Sequence, residues 1–225
     1  MPVSGVYNMD CMEYMKDIPD KFFDLAVVDP PYGIGIDGQK LSINKNPKAN
    51  RKEHKHKGWD NSIPPKSYFD ELRRVSKNRI IWGANYFVSN LNEGTKEWIV
   101  WYKGQKGLTM SDCELAFSSF NSPTRIVEIN RVQLLKEGTI HPTQKPIKLY
   151  QWILNNYAET GDKILDTHLG SESSRITAYK LGFDFYATEI DKEYFEAQEQ
   201  RFRYECFGEI KTEKGTLVQT SLFDI

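Results

Sequence analysis

Cysteine is scarce in this chain: Cys11, Cys113 and Cys206 are scattered, odd in number and form no C-x-x-C pair. That pattern argues against a disulfide framework and a structural zinc site, and points to a reducing interior. Long apolar runs are missing as well. No segment approaches the roughly 20 apolar residues of a membrane span. Residues 1–14 hold no apolar core of signal-peptide length, so the expected location is the cytoplasm. Nor does charge of one sign dominate, because 30 Lys and Arg stand against 31 Asp and Glu, a formal net charge of -1. A uniformly basic nucleic-acid coat is thereby excluded, and any DNA contact has to come from a local patch. With no internal repeat and 225 residues, one α/β domain over 1–225 is expected.

What is present is an alternation of strand and helix patterns. Phe23 to Val28 reads as a buried strand. Pro65 to Lys77 reads as a helix with Tyr68, Phe69, Leu72 and Val75 on one face, and Arg79 to Gly83 as a second strand. Three extended runs follow without helices between them: Glu97 to Tyr102, Cys113 to Phe120 and Thr124 to Ile129. They predict an antiparallel edge on a mostly parallel sheet. Further on, a helix is expected over Ile147 to Ala158, a strand over Lys163 to Asp166, and a helix over Ser173 to Leu181 closed by Gly182. Phe183 to Glu189 then reads as a strand, and Asp191 opens a charged helix running to about Cys206. Lys40 to Asp60 and Lys103 to Ser111 are the expected long loops.

Immediately after the first buried strand stands Asp29-Pro30-Pro31-Tyr32. Two successive prolines remove two backbone N–H donors and keep the residues before them extended, so the Asp29 carboxylate and the Pro30 carbonyl remain acceptors. Such a wall suits an exocyclic amine. Two acceptors holding its hydrogens favour a tetrahedral nitrogen whose lone pair can attack an electrophile. Tyr32 adds a flat face on which an extruded base can stack. Alone, the four residues read better as a strand followed by a proline-stiffened turn, and it is the segments found elsewhere in the chain that turn the reading to chemistry.

The segment Asp166-Thr167-His168-Leu169-Gly170-Ser171-Glu172-Ser173-Ser174 joins a strand to a helix. Its glycine bend and helix-start hydroxyls can bind an anion through backbone N–H groups. Glu189 ends the next strand, 23 positions after Asp166. The interval is close to the roughly 20-residue spacing at which an acid reaches a ribose hydroxyl in dinucleotide-type folds. Together these features suggest an adenosine-containing ligand at the strand ends.

With His141-Pro142-Thr143-Gln144-Lys145-Pro146 and Ala187-Thr188-Glu189-Ile190-Asp191, these segments resemble DNA adenine-N6 methyltransferases of the class whose catalytic motif precedes the cofactor motif, more narrowly phage or prophage versions. The likeness covers nearly the whole chain. It implies a Rossmann-like S-adenosylmethionine-dependent methyltransferase fold with one antiparallel strand, and S-adenosylmethionine as methyl donor. By the same likeness Asp29 to Tyr32 are catalytic, and Asp29 also borders the cofactor. Asp166, His168, Gly170 and Ser171 form the cofactor loop, Glu189 binds ribose, and Thr143 and Lys145 approach the methionine end. Asp10 and Cys11, within Asn8-Met9-Asp10-Cys11, resemble the segment that contacts the cofactor's adenine. Two departures stand out: Thr167-His168 where the family usually has Pro-Phe, and Glu172 where it has a second glycine. A carboxylate at 172 would repel the cofactor's own and weaken its binding unless it turns to solvent or meets a cation such as Lys145.

Double-stranded DNA is the expected partner. The basic loop 38–59 offers Lys40, Lys45, Lys48, Arg51, Lys52, Lys55 and Lys57 for phosphates, against the plainer reading of a solvated surface loop. Region 103–140 offers Lys103, Lys106, Arg125 and Arg131 for target readout. In the tail, 211–225, Gln219, Leu222 and Phe223 resemble anchors of the bacterial sliding-clamp-binding peptide, although packing of the tail on its own domain is as good a reading. A homodimer is left open, and no membrane or metal is expected. Alternatives kept at this point are cytosine N4, RNA or a protein amide as acceptor, and a decayed methyltransferase scaffold that only binds DNA or the clamp. Asp29, where cytosine enzymes of this type tend to carry serine, favours adenine.

Overall fold

A computed structural model of the chain describes residues 2–38, 40, 43, 53–104, 111–130, 138–212 and 215–218. Its centre is an eight-stranded sheet. In chain order the strands are β1 (Ser4–Tyr7), β2 (Phe23–Val28), β3 (Ser76–Trp82), β4 (Trp98–Tyr102), β5 (Cys113–Ser118), β6 (Arg125–Glu128), β7 (Lys163–Asp166) and β8 (Asp184–Thr188). They lie side by side as β1-β8-β7-β2-β3-β5-β4-β6. Only β5 runs against its neighbours, pairing antiparallel with both β3 and β4, while β4 and β6 pair parallel. The predicted antiparallel edge is therefore a single reversed strand. The chain turns back after β4, and β5 inserts between β3 and β4, which leaves β4 pointing the same way as β3.

The central strands, β2 and β3 above all, are buried on both faces, and their alternation divides the core in two. Leu25 and Val27 of β2 pack with Ile80 and Trp82 on one face. Helix α4 (Ile147–Tyr157) covers that face with Leu149, Ile153 and Leu154. Ala26 and Val28 point to the other face, where helix α2 (Lys66–Val75) lays down Tyr68, Phe69, Leu72 and Val75, spaced as a helical stripe. Helix α1 (Cys11–Lys16) and the short α3 (Val88–Leu91) border this second layer. Helix α5 (Ser173–Leu181) ends on Gly182 in the left-handed conformation, and α6 (Lys192–Phe207) begins on Asp191, whose carboxylate accepts the Tyr194 N–H. A hairpin of β9 (Glu209–Thr212) and β10 (Gly215–Val218) occupies the described part of the tail. No helix among the described residues is long and apolar enough to cross a membrane.

Strand order changes direction between β2 and β7: the chain builds outward from β2 through β3 on one side and from β7 through β8 on the other. In parallel sheets such a reversal leaves a crevice beyond the carboxyl ends of the two strands. Asp29 leaves the end of β2, Asp166 ends β7, and Glu189 follows β8.

Candidate functional site

A cleft of about 290 Å³ opens at this crevice, and Asp29, Pro31, Thr143, Lys145, His168, Gly170, Ser171 and Glu189 all line it. The acceptor wall and the two cofactor segments, up to 160 residues apart in sequence, thus share one cavity. Pro30 is buried beside the wall, and among the described residues no donor reaches its carbonyl. Asp166 lies beneath the cleft, where its carboxylate accepts bonds from the Ser174 hydroxyl at 2.7 Å and the His168 N–H at 3.1 Å. Burial pushes the Asp166 carboxyl up to about 7.

Glu189 is fixed by backbone amides. Its Oε2 accepts from Gly170 at 2.9 Å and its Oε1 from Asp191 at 2.9 Å. The loop after β7 and the end of β8 are therefore tied together through the side chain expected at the ribose. Next to it, burial lowers His168 to about 4, so that ring is neutral at physiological pH. Asp10 caps α1, with Oδ1 accepting the Met12 and Glu13 N–H groups at 2.8 and 3.2 Å. Its charge reaches His168 from beside the cleft, outside the lining. The Cys11 thiol packs toward the α2-side core, where burial raises it to about 12 and removes it as a nucleophile.

At the other end of the cavity a network of charges surrounds Asp29. The Tyr32 hydroxyl donates to Asp29 Oδ1 at 2.7 Å, and the Lys145 ammonium pairs with Oδ2. Lys145 also reaches the Tyr32 hydroxyl at 3.2 Å and Glu114 Oε2 at 3.2 Å, while Glu114 Oε1 pairs with Lys103 at 2.7 Å. Burial works against the Lys145 charge, but the two carboxylates outweigh it and hold the ammonium above its ordinary range. The two lysines overcome the burial of Glu114 and lower it to about 2. Asp29 moves the other way, raised chiefly by burial against the pull of Lys145. The Tyr32 ring stacks on Tyr86, with centroids 5.0 Å apart and an interplanar angle of 16°.

The basic loop meets the cleft through its described end. Asp37 Oδ2 accepts the Lys57 and Trp59 N–H groups at 2.8 and 3.1 Å, and Asp60 accepts those of Gly33 and Ile36 at 2.8 and 2.9 Å. Two aspartates thus fasten the loop's two ends together. Trp59 consequently stands in the cleft wall against His141, which meets Tyr194 edge-on. Burial, with His54 and Lys145 nearby, lowers His141 to about 3.

Of the lysines expected at DNA, Lys57 pairs with Asp191 at 2.6 Å and Glu193 at 2.9 Å, and lies 4.3 Å from the Tyr194 ring centroid. Lys103 is engaged by Glu114. Lys40, Lys55 and Arg125 are exposed. Lys45, Lys48, Arg51, Lys52, Lys106 and Arg131, and the tail residues Gln219, Leu222 and Phe223, lie outside the described residues.

Glu172 does not face the cleft. It is fully buried, and its cation is Arg175 rather than Lys145; Arg175 bridges onward to Glu199 of α6 at 2.7 Å. Lys145 is held elsewhere, by Asp29 and Glu114. The backbone at Glu172 is left-handed, φ +70°, a conformation glycine adopts at no steric cost. A side chain here strains the backbone but leaves the cavity clear.

Sequence reasoning missed several groups at the cleft. His141 opens a recognisable segment but carried no role of its own there, and Trp59 closes a loop read only for its charge. Glu114 carried no signal, since an acid within a strand reads as a solvent-facing residue.

Residues 70–200 match the N6/N4 DNA methylase family. Among curated relatives, the type II methyltransferase M.BglII of Bacillus subtilis is 24% identical over 85% of this chain and 67% of its own length. The M1.HpyAVI–SAM complex superposes with a TM-score of 0.60 at 19% identity, covering 88% of this chain and 98% of that one. The cytosine-N4-specific PvuII DNA methyltransferase gives a TM-score of 0.60 at 13% identity, with 89% and 87% covered. The chain belongs to the N6/N4 DNA methyltransferase family.

Proposed function

We propose that the protein transfers a methyl group from S-adenosylmethionine to N6 of an adenine turned out of double-stranded DNA. The observation that carries this reading is the shared cavity, with Asp29 at one end and the Gly170–Glu189 pair at the other. The donor set fits the cofactor. A carboxylate held by backbone amides offers acceptors for ribose hydroxyls, the loop at Gly170 and Ser171 lines the adjoining wall, and neutral His168 supplies a flat ring. Thr143, in the lining, would hold the methionine end, and Asp10, outside it, would serve the adenine. When bound, S-adenosylmethionine supplies an electrophilic methyl group.

The chain's own part is positioning. Asp29 and the Pro30 carbonyl accept the two amine hydrogens and direct the nitrogen lone pair into the cavity. Tyr32 holds Asp29 in place through its hydroxyl, and its ring, stacked here on Tyr86, offers a face to the base when the base takes the place of Tyr86. No residue needs to bond covalently to the substrate. Exposed Lys40 and Lys55, on the loop whose end forms part of the cleft wall, support phosphate contacts, whereas Arg125 opens the edge strand β6 away from the carboxyl ends of the sheet.

Cytosine N4 is the second reading, because the family matched by residues 70–200 takes in both N6 and N4 enzymes. Asp29 in place of serine favours adenine. Incubating the protein with labelled cofactor and separate DNA, RNA and protein acceptors tests the assignment. Label in DNA supports it; label confined to RNA or protein overturns it. Label in none leaves the decayed scaffold as the reading.

A further inference from the structure

In the arrangement observed, each carboxylate oxygen of Asp29 already holds a donor, Oδ1 the Tyr32 hydroxyl and Oδ2 the Lys145 ammonium. A target amine either shares Oδ2 with that ammonium or displaces it. Lys145 therefore occupies the place of the amine: an N–H donor group bonded to the same oxygen. Seating the base amine at that position moves the ammonium off the oxygen, one donor exchanged for another.

The exchange has an electrostatic obstacle. The Lys145 side chain is only 2% exposed. An ammonium left without its carboxylate at such depth is strongly disfavoured. Glu114 removes the obstacle. Its Oε2 already lies 3.2 Å from Lys145 Nζ, on the reversed strand β5 and outside every segment assigned to catalysis. Lys103 holds Oε1 at 2.7 Å, which keeps Glu114 ionised and oriented. Asp29, Glu114, Lys103 and Lys145 form a set of balanced charge, so moving Lys145 from one carboxylate to the other leaves the total unchanged.

We propose that Glu114 is a positioning residue of the methyl-transfer site: it takes over the Lys145 ammonium when Asp29 exchanges that ammonium for the amine of the target base. The direction of the acid shifts agrees with this division. Glu114 is lowered to about 2 and so stays charged, whereas burial raises Asp29, the carboxylate that gives the ammonium up. The inference rests on the reading of the site given under Proposed function.

A double-mutant cycle tests it. Single-turnover methyl transfer to duplex DNA is measured at saturating S-adenosylmethionine for wild type, Glu114→Gln, Lys145→Gln and the double variant, with cofactor affinity measured in parallel. With Lys145 present, Glu114→Gln is expected to slow transfer about tenfold or more, because Asp29 then keeps the only carboxylate available to the ammonium. In the Lys145→Gln background the same change is expected to cost about twofold or less. Cofactor affinity should stay within about threefold between each pair that differs only at 114. An equal loss in both backgrounds, as a purely structural role gives, overturns the inference, and so does an absent loss when Lys145 is present. Should Glu114→Gln fail to fold, Glu114→Ala, which likewise offers the ammonium no carboxylate, replaces it in the same cycle with the same criteria. Wild-type protein that passes no methyl group to DNA overturns the site reading and this inference with it; an active wild type with no coupling between 114 and 145 overturns the inference alone.

Discussion

The ring of Tyr32 lies directly on the backbone of Gly83, so close that a Cβ at Gly83 would stand 1.9 Å from the ring carbon Cε1. Gly83 follows β3 with φ +68°, so both its space and its conformation require glycine. β3 thus sets the position of the aromatic face beside Asp29. Gly83→Ala is expected to displace Tyr32 and destabilise the fold by roughly 2–4 kcal/mol. Denaturant unfolding reads the second effect. Methyl-transfer kinetics read the first, as a fall in transfer with cofactor affinity retained.

Tyr32 has two separable tasks. Tyr32→Phe keeps the ring but removes the hydroxyl that holds Asp29 at 2.7 Å, and should slow transfer about tenfold. Tyr32→Ala also removes the stacking face and should be slower by about a further tenfold. Equal rates for the two variants would dismiss stacking on Tyr32.

Lys57 is paired with Asp191 and Glu193 at the start of α6, so its charge is already compensated. Lys40→Ala and Lys55→Ala are each expected to reduce the slope of log affinity for DNA against log salt by about 0.9 for every phosphate left without its lysine. Lys57→Ala should leave that slope unchanged. Its effect should fall on the cofactor instead, as faster dissociation, because Lys57 anchors the loop that places Trp59 in the cleft wall. A reduced salt slope for Lys57→Ala would return it to the DNA interface.

Asp166 predicts a pH dependence of stability in the cofactor-free protein. Its carboxyl titrates near 7 when folded and near its ordinary 3.8 when unfolded, burial being the main cause. Between these values the folded state holds the proton and the unfolded state does not. Its contribution is therefore most favourable below about pH 4 and is lost as pH rises to about 7, by at most roughly 4 kcal/mol. Asp166→Asn should flatten this part of the urea stability profile between about pH 4.5 and 7.5; an unchanged profile would remove Asp166 as its source.

Much of the sheet was legible because its signals are local. Phe23–Val28 is apolar except for Asp24 and leads through Asp29 into a double proline, and Gly182 and Asp191 mark helix ends by their own conformational and capping preferences. β1 was not legible: four residues with little burial become a strand only through pairing with β8, as between Ser4 and Phe185. The same limit applied to charge. Lys57 and Lys103 look available for phosphate until the fold brings Asp191 and Glu114 to them. The cleft was anticipated from motifs at strand ends. The carboxylate network around Lys145 was not, because β5 reaches the site only by reversing direction between β3 and β4.

The most direct test is nucleoside analysis of duplex DNA after incubation with S-adenosylmethionine and either the wild-type protein or Asp29→Ala. The account predicts N6-methyladenine with the wild type and none above background with the variant, while the variant still binds the cofactor. N4-methylcytosine as the product, or equal N6-methyladenine from both proteins, would contradict it.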